Sequence, residues 1–225
     1  MKQALVTGAS SGIGAAIVGQ LLAEDWQVLG LSRSAPPFIH EGFTHLAVDV
    51  SDRRALVDAL SSMAPPQAII HAAGLMAAAP LGELDAQRGE TLWRLHVDAA
   101  QTLANRFAPV MDRGGRIILL GSRTSRGAAG RSQYTATKAA LVALARSWAA
   151  ELAAAGITVN VIAPGATDTP MLRQPGRESL PPKVPPLGRL IKPQEVASLV
   201  SWLLSEGASA MTGQELVMCG GASLG

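Results

Sequence analysis

Seven short apolar runs, each bounded by polar or turn-forming residues, recur along the chain: QALVT (3–7), QVLGLS (27–32), THLAVDV (44–50), QAIIHAA (67–73), GRIILLGS (115–122), GITVNVIAP (156–164) and ELVMC (215–219). Segments of helical period lie between them, as where Ile17, Leu21 and Leu22 share one face. Runs this apolar suit strands covered on both sides, which is the condition of a parallel sheet between two helical layers. Right-handed crossovers then predict an α/β fold, a doubly wound parallel sheet of about seven strands in a single domain over 1–225. A ligand crevice is expected outside the carboxyl ends of the strands.

Composition narrows the function classes. Lysine and arginine number 19 against 17 acids, a net charge of +2, with no dense basic run and few aromatics. That balance argues against a nucleic-acid surface. Cys219 is the only cysteine, so no intrachain disulfide forms and a reducing compartment is expected. The apolar helical stretch at 139–155 is interrupted by Arg146, Ser147 and Glu151, and an apolar strand follows Met1-Lys2 directly. The expectation is a soluble, cytoplasmic protein without a membrane partner. The four histidines are scattered without ligand spacing, and no metal site is expected.

The segment VTGASSGIG (6–14) closes the first run and opens the first helix. Glycines at 8, 12 and 14 let the backbone turn sharply and approach a ligand, and a helix N-terminus attracts a pyrophosphate. The spacing G-x-x-x-G-x-G differs from the usual dinucleotide fingerprint, and a plain glycine turn is the alternative. The second run ends in Leu31-Ser32-Arg33. Where NAD-preferring folds place an acid against the ribose 2′-hydroxyl, this chain offers Ser32 and a cation, Arg33. NADP(H) is therefore the expected cofactor, with NAD(H) as the alternative.

The stretch GSRTSRGAAGRSQYTATK (121–138) holds the chain's single tyrosine, Tyr134. Tyr134 and Lys138 stand one helical turn apart and share a face. A free phenol has a pKa of ~10, and lowering it by about three units takes roughly 4 kcal/mol, within reach of a nearby ammonium in a dry pocket.

Taken with TGASSGIG, HAAG (71–74), Asp49-Val50, NVIAPGATDTPM (160–171), GRLIKPQEVA (188–197) and TGQELVMCGG (212–221), these residues make the chain resemble the short-chain dehydrogenase/reductase family over essentially its whole length. The resemblance implies a Rossmann-like fold and an oxidoreductase that moves hydride between a nicotinamide and a carbonyl or secondary alcohol. It implies that Tyr134 is the general acid/base, that Ser122 holds the carbonyl oxygen, and that Lys138 tunes Tyr134 and binds the nicotinamide ribose. Gly8, Ser10, Ser11, Gly12, Ile13 and Gly14 would line the pyrophosphate. Asp49 would bond the adenine amino group with Val50 beside the ring, and Ala73 and Gly74 would lie near the nicotinamide ribose. Pro164, Gly165, Thr167 and Thr169 would hold the nicotinamide.

Three departures bear on function. His96 stands where the family usually has an asparagine that holds a proton-relay water. It either serves that relay or packs and hydrogen-bonds locally. His71 is expected to be structural, and Cys219 to be packing. Arg123, Arg126 and Arg131 surround the catalytic stretch, and Arg173 and Arg177 lie in a proline-rich segment at about 170–188 that is expected to form a substrate lid. Together they raise an anionic small-molecule substrate, with solvated arginines as the alternative. A 3-oxoacyl thioester reductase and a non-catalytic nucleotide-binding regulator are the rival readings. Such reductases tend to carry a basic residue just before GITVN, and here Ala155 stands there. The family further implies a homotetramer, or a dimer, built on helices at about 95–112 and 134–155.

Overall fold

In the computed structural model the described residues are 2–36, 38–173 and 183–224. Seven strands, β1 (Gln3–Thr7), β2 (Gln27–Ser32), β3 (Phe43–Ala47), β4 (Ala68–His71), β5 (Arg116–Leu120), β6 (Thr158–Pro164) and β7 (Glu215–Met218), form one sheet in the order β3-β2-β1-β4-β5-β6-β7. Every neighbouring pair is parallel. The helices are α1 (Gly12–Ala23), α2 (Arg53–Leu60), α3 (Ala86–Trp93), α4 (Ala99–Phe107), α5 (Ser132–Leu152) and α6 (Pro193–Leu204). The strand order reverses between β1 and β4, which places the crevice of a doubly wound sheet there.

Alternation along each strand builds two cores. Val6, Ile70, Ile118 and Ile162 point to the layer of α1 and α6, against Ile17, Leu21, Val196 and Val200. Leu5, Ile69, Ile117, Val159 and Val161 point to the other layer, against Leu56, Leu103, Phe107 and Leu141 from α2, α4 and α5. Side chains this size, fully buried, contribute roughly 1.5–3 kcal/mol each. Among the described residues no helix is long and apolar enough to cross a membrane.

Several boundaries differ from the sequence expectation, and three of them bear on the site. The third strand stops at Ala47, so Asp49 and Val50 lie in the loop beyond it. The fourth stops at His71, because the amides of Ala72 and Ala73 leave the ladder to donate to Thr7 Oγ1 at 3.1 and 3.0 Å. The helix expected at 95–112 is broken up: Arg94–Asp98 forms a π-turn, α4 follows, and Ala108–Val110 is a 3-10 turn. A π-turn inside a helix is uncommon and tends to mark a functional position; this one contains His96.

Of the expected lid, 174–182, including Arg177, lies outside the described residues. Pro170–Arg173 is a 3-10 turn. The base of the excursion is closed by a parallel bridge between Thr167 and Ile191.

Candidate active site

The first half of the site is built where β1 meets α1. Gly8 has a φ of +70°, and a Cβ there would lie 2.9 Å from the backbone of Ala73. A Cβ on Gly14 would lie 2.1 Å from Gly8 O. The loop is therefore pressed against both the helix and the β4 exit, and only glycine fits. Ser11 caps α1 without a side-chain hydrogen bond, so the first-turn amides are left for an anion. A cleft of about 340 Å³ opens here, lined by Gly8, Ser10, Ser11, Gly12, Ile13, Gly14, Ser32, Arg33, Asp49, Val50, Ala73, Gly74 and Thr169. These residues belong to the cofactor set expected from sequence; Leu31, Ser34, Ser51, Leu75 and Met171, among others, also line the cleft and were not expected.

Within the cleft, Ser32 is buried and its hydroxyl donates to Ser34 O at 2.8 Å. Arg33 is exposed. Asp49 accepts from the amide and hydroxyl of Ser51 at 2.9 and 2.7 Å. Partial burial pushes its pKa up, but the Ser51 bonds and the Arg33 charge outweigh this and hold it below the ordinary value. The donor set suits a dinucleotide: bare amides for the pyrophosphate, a carboxylate for an adenine amino group, and a cation where a 2′-phosphate would lie.

The second half lies at the ends of β5 and β6. Ser122 caps a short 3-10 turn (Arg123–Arg126), with Thr124 N donating to its hydroxyl at 3.2 Å and Thr124 Oγ1 at 2.9 Å from it. Ser122, Tyr134, Pro164, Gly165 and Thr167 line a second cavity of about 510 Å³. The two cavities share Ile13, Thr169 and Met171, so a ligand in one abuts a ligand in the other. Gly165 is required by crowding, since a Cβ there would sit 2.9 Å from Cys219 Cα. Cys219 is buried, with Sγ 3.1 Å from Ser223 Oγ.

Lys138 and His96 line neither cavity; they stand behind the wall at Gly74. A Cβ on Gly74 would be 3.2 Å from His96 Nε2 and 3.6 Å from Lys138 Nζ. Lys138 Nζ lies 5.8 Å from the Tyr134 ring centroid and donates to Leu120 O at 2.8 Å. Burial pushes its pKa down to about 7.

Both histidines near this wall have their nitrogens occupied. Leu75 N donates to His96 Nε2 at 3.1 Å, so that nitrogen carries no proton, and Nδ1–H then donates to Thr137 Oγ1 at 2.8 Å. Thr137 Oγ1 passes its own proton to Tyr134 O at 2.8 Å. His71 Nε2–H donates to Leu95 O at 3.2 Å, and Nδ1 accepts from Thr7 Oγ1 at 2.9 Å. Burial first, and then the Lys138 charge, hold His71 down at about 3 and His96 well below the usual imidazole value. Of the two sequence alternatives for His96, this geometry fits local hydrogen bonding. A neutral ring with both nitrogens engaged ties the loop after β4 to the first turns of α5.

The arginines divide. Arg123 and Arg131 line the second cavity. Arg126 is exposed and lies outside its lining. Arg173 is taken up by an exposed ion pair with Asp168 at 2.5 Å. Sequence reasoning missed Lys183, Met76, Met171 and Leu172, which also line this cavity, and the Thr7 and Thr137 hydroxyls that fix the histidines. Thr137 was within reach, since it stands between Tyr134 and Lys138. Nothing local in the sequence marks the others.

Comparison with known proteins agrees with the geometry. The family described as enoyl-(acyl carrier protein) reductase matches residues 8–223. A 3-oxoacyl-[acyl-carrier-protein] reductase, MabA of Mycobacterium bovis, is 34% identical over 100% of this chain and 94% of that protein. A cyclic-di-GMP-binding biofilm dispersal mediator protein of Escherichia coli is 32% identical over 94% and 93%. Among solved structures, a blue fluorescent protein from a metagenomic library, in complex with NADPH, superposes with a TM-score of 0.85 at 29% identity over 99% and 98% of the two chains. The chain belongs to the short-chain dehydrogenase/reductase family of nicotinamide-dependent oxidoreductases.

Proposed function

We propose that this protein is an NADP(H)-dependent reductase of a small carbonyl compound, or the dehydrogenase of the matching alcohol, with Tyr134 as the proton donor. The observation that carries the reading is the junction of the two cavities. The glycine cleft and the chamber holding Ser122 and Tyr134 meet at Ile13, Thr169 and Met171. When bound, the reduced nicotinamide supplies hydride to the carbonyl carbon. The Tyr134 hydroxyl gives its proton to the carbonyl oxygen, and the Ser122 hydroxyl, held by Thr124, fixes that oxygen by a hydrogen bond. Lys138 supports the phenolate left on Tyr134 by its charge. One of its three N–H donors is spent on Leu120 O, and Lys138 lines neither cavity, so its part in this reading is the electrostatic support of Tyr134. Arg33 favours NADP(H) over NAD(H).

Homo-oligomeric assembly, as a tetramer or dimer, belongs to the same proposal. Ala149 on α5 is buried against the sheet, whereas Ala143 is exposed and could meet a second copy. Light scattering of the purified protein reads this directly.

The thioester reductase reading is favoured by the likeness to the mycobacterial relative, a 3-oxoacyl-[acyl-carrier-protein] reductase. The deciding experiment is titration with NADPH and NADH, then turnover on a carbonyl panel that includes a 3-oxoacyl thioester, with Tyr134→Phe as control. Removing a general acid lowers kcat by about 10²–10⁴-fold. Tight nucleotide binding with no Tyr134-dependent turnover of any carbonyl would favour a regulator and sink the reductase.

A further inference from the structure

The substrate chamber carries an excess of cations. Arg123, Arg131 and Lys183 line it, and among the described residues no Asp or Glu does. None of the three appears among the ion pairs of the described residues, which join Arg94 to Glu90, Arg173 to Asp168 and Arg189 to Glu195. Arg131 Nε is buried and has no hydrogen-bond partner. Arg123 has only a long contact, Nη1 to Ala222 O at 3.4 Å. Leaving a buried charged donor unpaired is costly unless a ligand completes it. Met76, Met171 and Leu172 add an apolar, adaptable part to its wall.

Resting on the reductase reading, we propose that the substrate is an aliphatic oxo acid whose carboxylate is gripped by Arg131 and Arg123. Arg131 caps the N-terminus of α5, and Tyr134 lies three residues on. That is one helical turn, roughly 5 Å along the axis, so a carboxylate at the guanidinium and a carbonyl at Tyr134 fit within one small molecule. Guanidinium forks match carboxylate geometry and take two hydrogen bonds. Lys183 adds a third positive charge to the lining. A thioester offers a guanidinium one neutral carbonyl oxygen, whereas a carboxylate offers two charged ones and the bidentate match.

The test compares charge at constant shape. Calorimetry of hexanoate against hexanamide, with NADP⁺ present and absent, should show the carboxylate binding roughly 10- to 100-fold tighter. Arg131→Met should erase that preference and Arg131→Lys should keep part of it. Arg88→Ala, an exposed arginine of α3, should not change it. In turnover, aliphatic 2-, 3- and 4-oxo acids should surpass their methyl esters through KM. Arg131→Met should raise KM for the acids by a larger factor than KM for the esters. Equal binding of amide and carboxylate, no measurable hexanoate binding, or a preference that survives Arg131→Met would each overturn the anion site. If neither acids nor esters show Tyr134-dependent reduction, the reductase reading fails, while the binding comparison still decides the anion site.

Discussion

Acid should loosen this protein through His71, and the size of the effect can be worked from its surroundings. Thr7 Oγ1 already accepts from the amides of Ala72 and Ala73 and spends its one proton on His71 Nδ1. A protonated imidazole would aim a second donor at that hydroxyl and find no acceptor. Burial and the nearby Lys138 charge point the same way, and hold the folded pKa at about 3 against 6.5 for a free side chain. Because the folded pKa is depressed, the contribution to stability is complete above about pH 6.5 and is lost as pH falls toward 3. Over that window unfolding takes up one extra proton, so stability drops by about 1.4 kcal/mol per pH unit, approaching 5 kcal/mol in full.

The perturbation is His71→Asn. Its amide can still accept from Thr7 but cannot reach Leu95 O as well, so at pH 7 it should cost about 1–2 kcal/mol. Urea unfolding of both proteins at pH 7, 6, 5 and 4 gives the difference, and the carboxylates common to both cancel. The gap should close by about 1.4 kcal/mol per unit below pH 6 and reverse near pH 5. Parallel stability curves for the two proteins would refute the assignment of His71 as a buried neutral hydrogen-bond hub.

Arg33→Ala should lower the preference for NADPH over NADH by roughly 10- to 100-fold, the worth of one charge-assisted contact, read from KM for each nucleotide. Gly14→Ala forces a Cβ to 2.1 Å from Gly8 O; it should destabilise by on the order of 1–3 kcal/mol in thermal unfolding and abolish NADPH binding in titration. His96→Asn should leave the shape of the pH–rate profile unchanged, since His96 does not titrate in the working range. Movement of the acidic limb in that variant would restore the proton relay.

The strands, the glycine loop and the Tyr134–Lys138 spacing were legible because each is a local pattern. Apolar runs mark strands covered on both faces, and a helical turn sets two side chains on one face whatever lies around them. The strand order was not legible, because β1 pairs with β4 across sixty-odd residues and no short pattern records that choice. The roles of the histidines were hidden for the same reason. His71 is fixed by Thr7 and Leu95, and His96 by Leu75 and Thr137, partners that meet only when β1, β4, the π-turn and α5 come together. Among the arginines, sequence put Arg123, Arg126 and Arg131 on equal footing. In the structure Arg123 and Arg131 line the chamber and Arg126 does not, a difference that rests on how the loop after Ser122 packs and that no residue type announces.

These residues also link stability to chemistry. Ala72 through Leu75 form the wall between the cofactor cleft and Lys138, and that wall is held on one side by Thr7 and on the other by His96. Both anchors work only with neutral imidazoles. The buried Lys138, proposed above to support the Tyr134 phenolate by its charge, also helps to keep those rings neutral. A neutral substitute such as Lys138→Met should therefore do two opposed things: remove activity, and ease the acid sensitivity of the wall. Activity and acid tolerance moving in opposite directions in one variant would separate this arrangement from a simple loss of fold, in which both fall together.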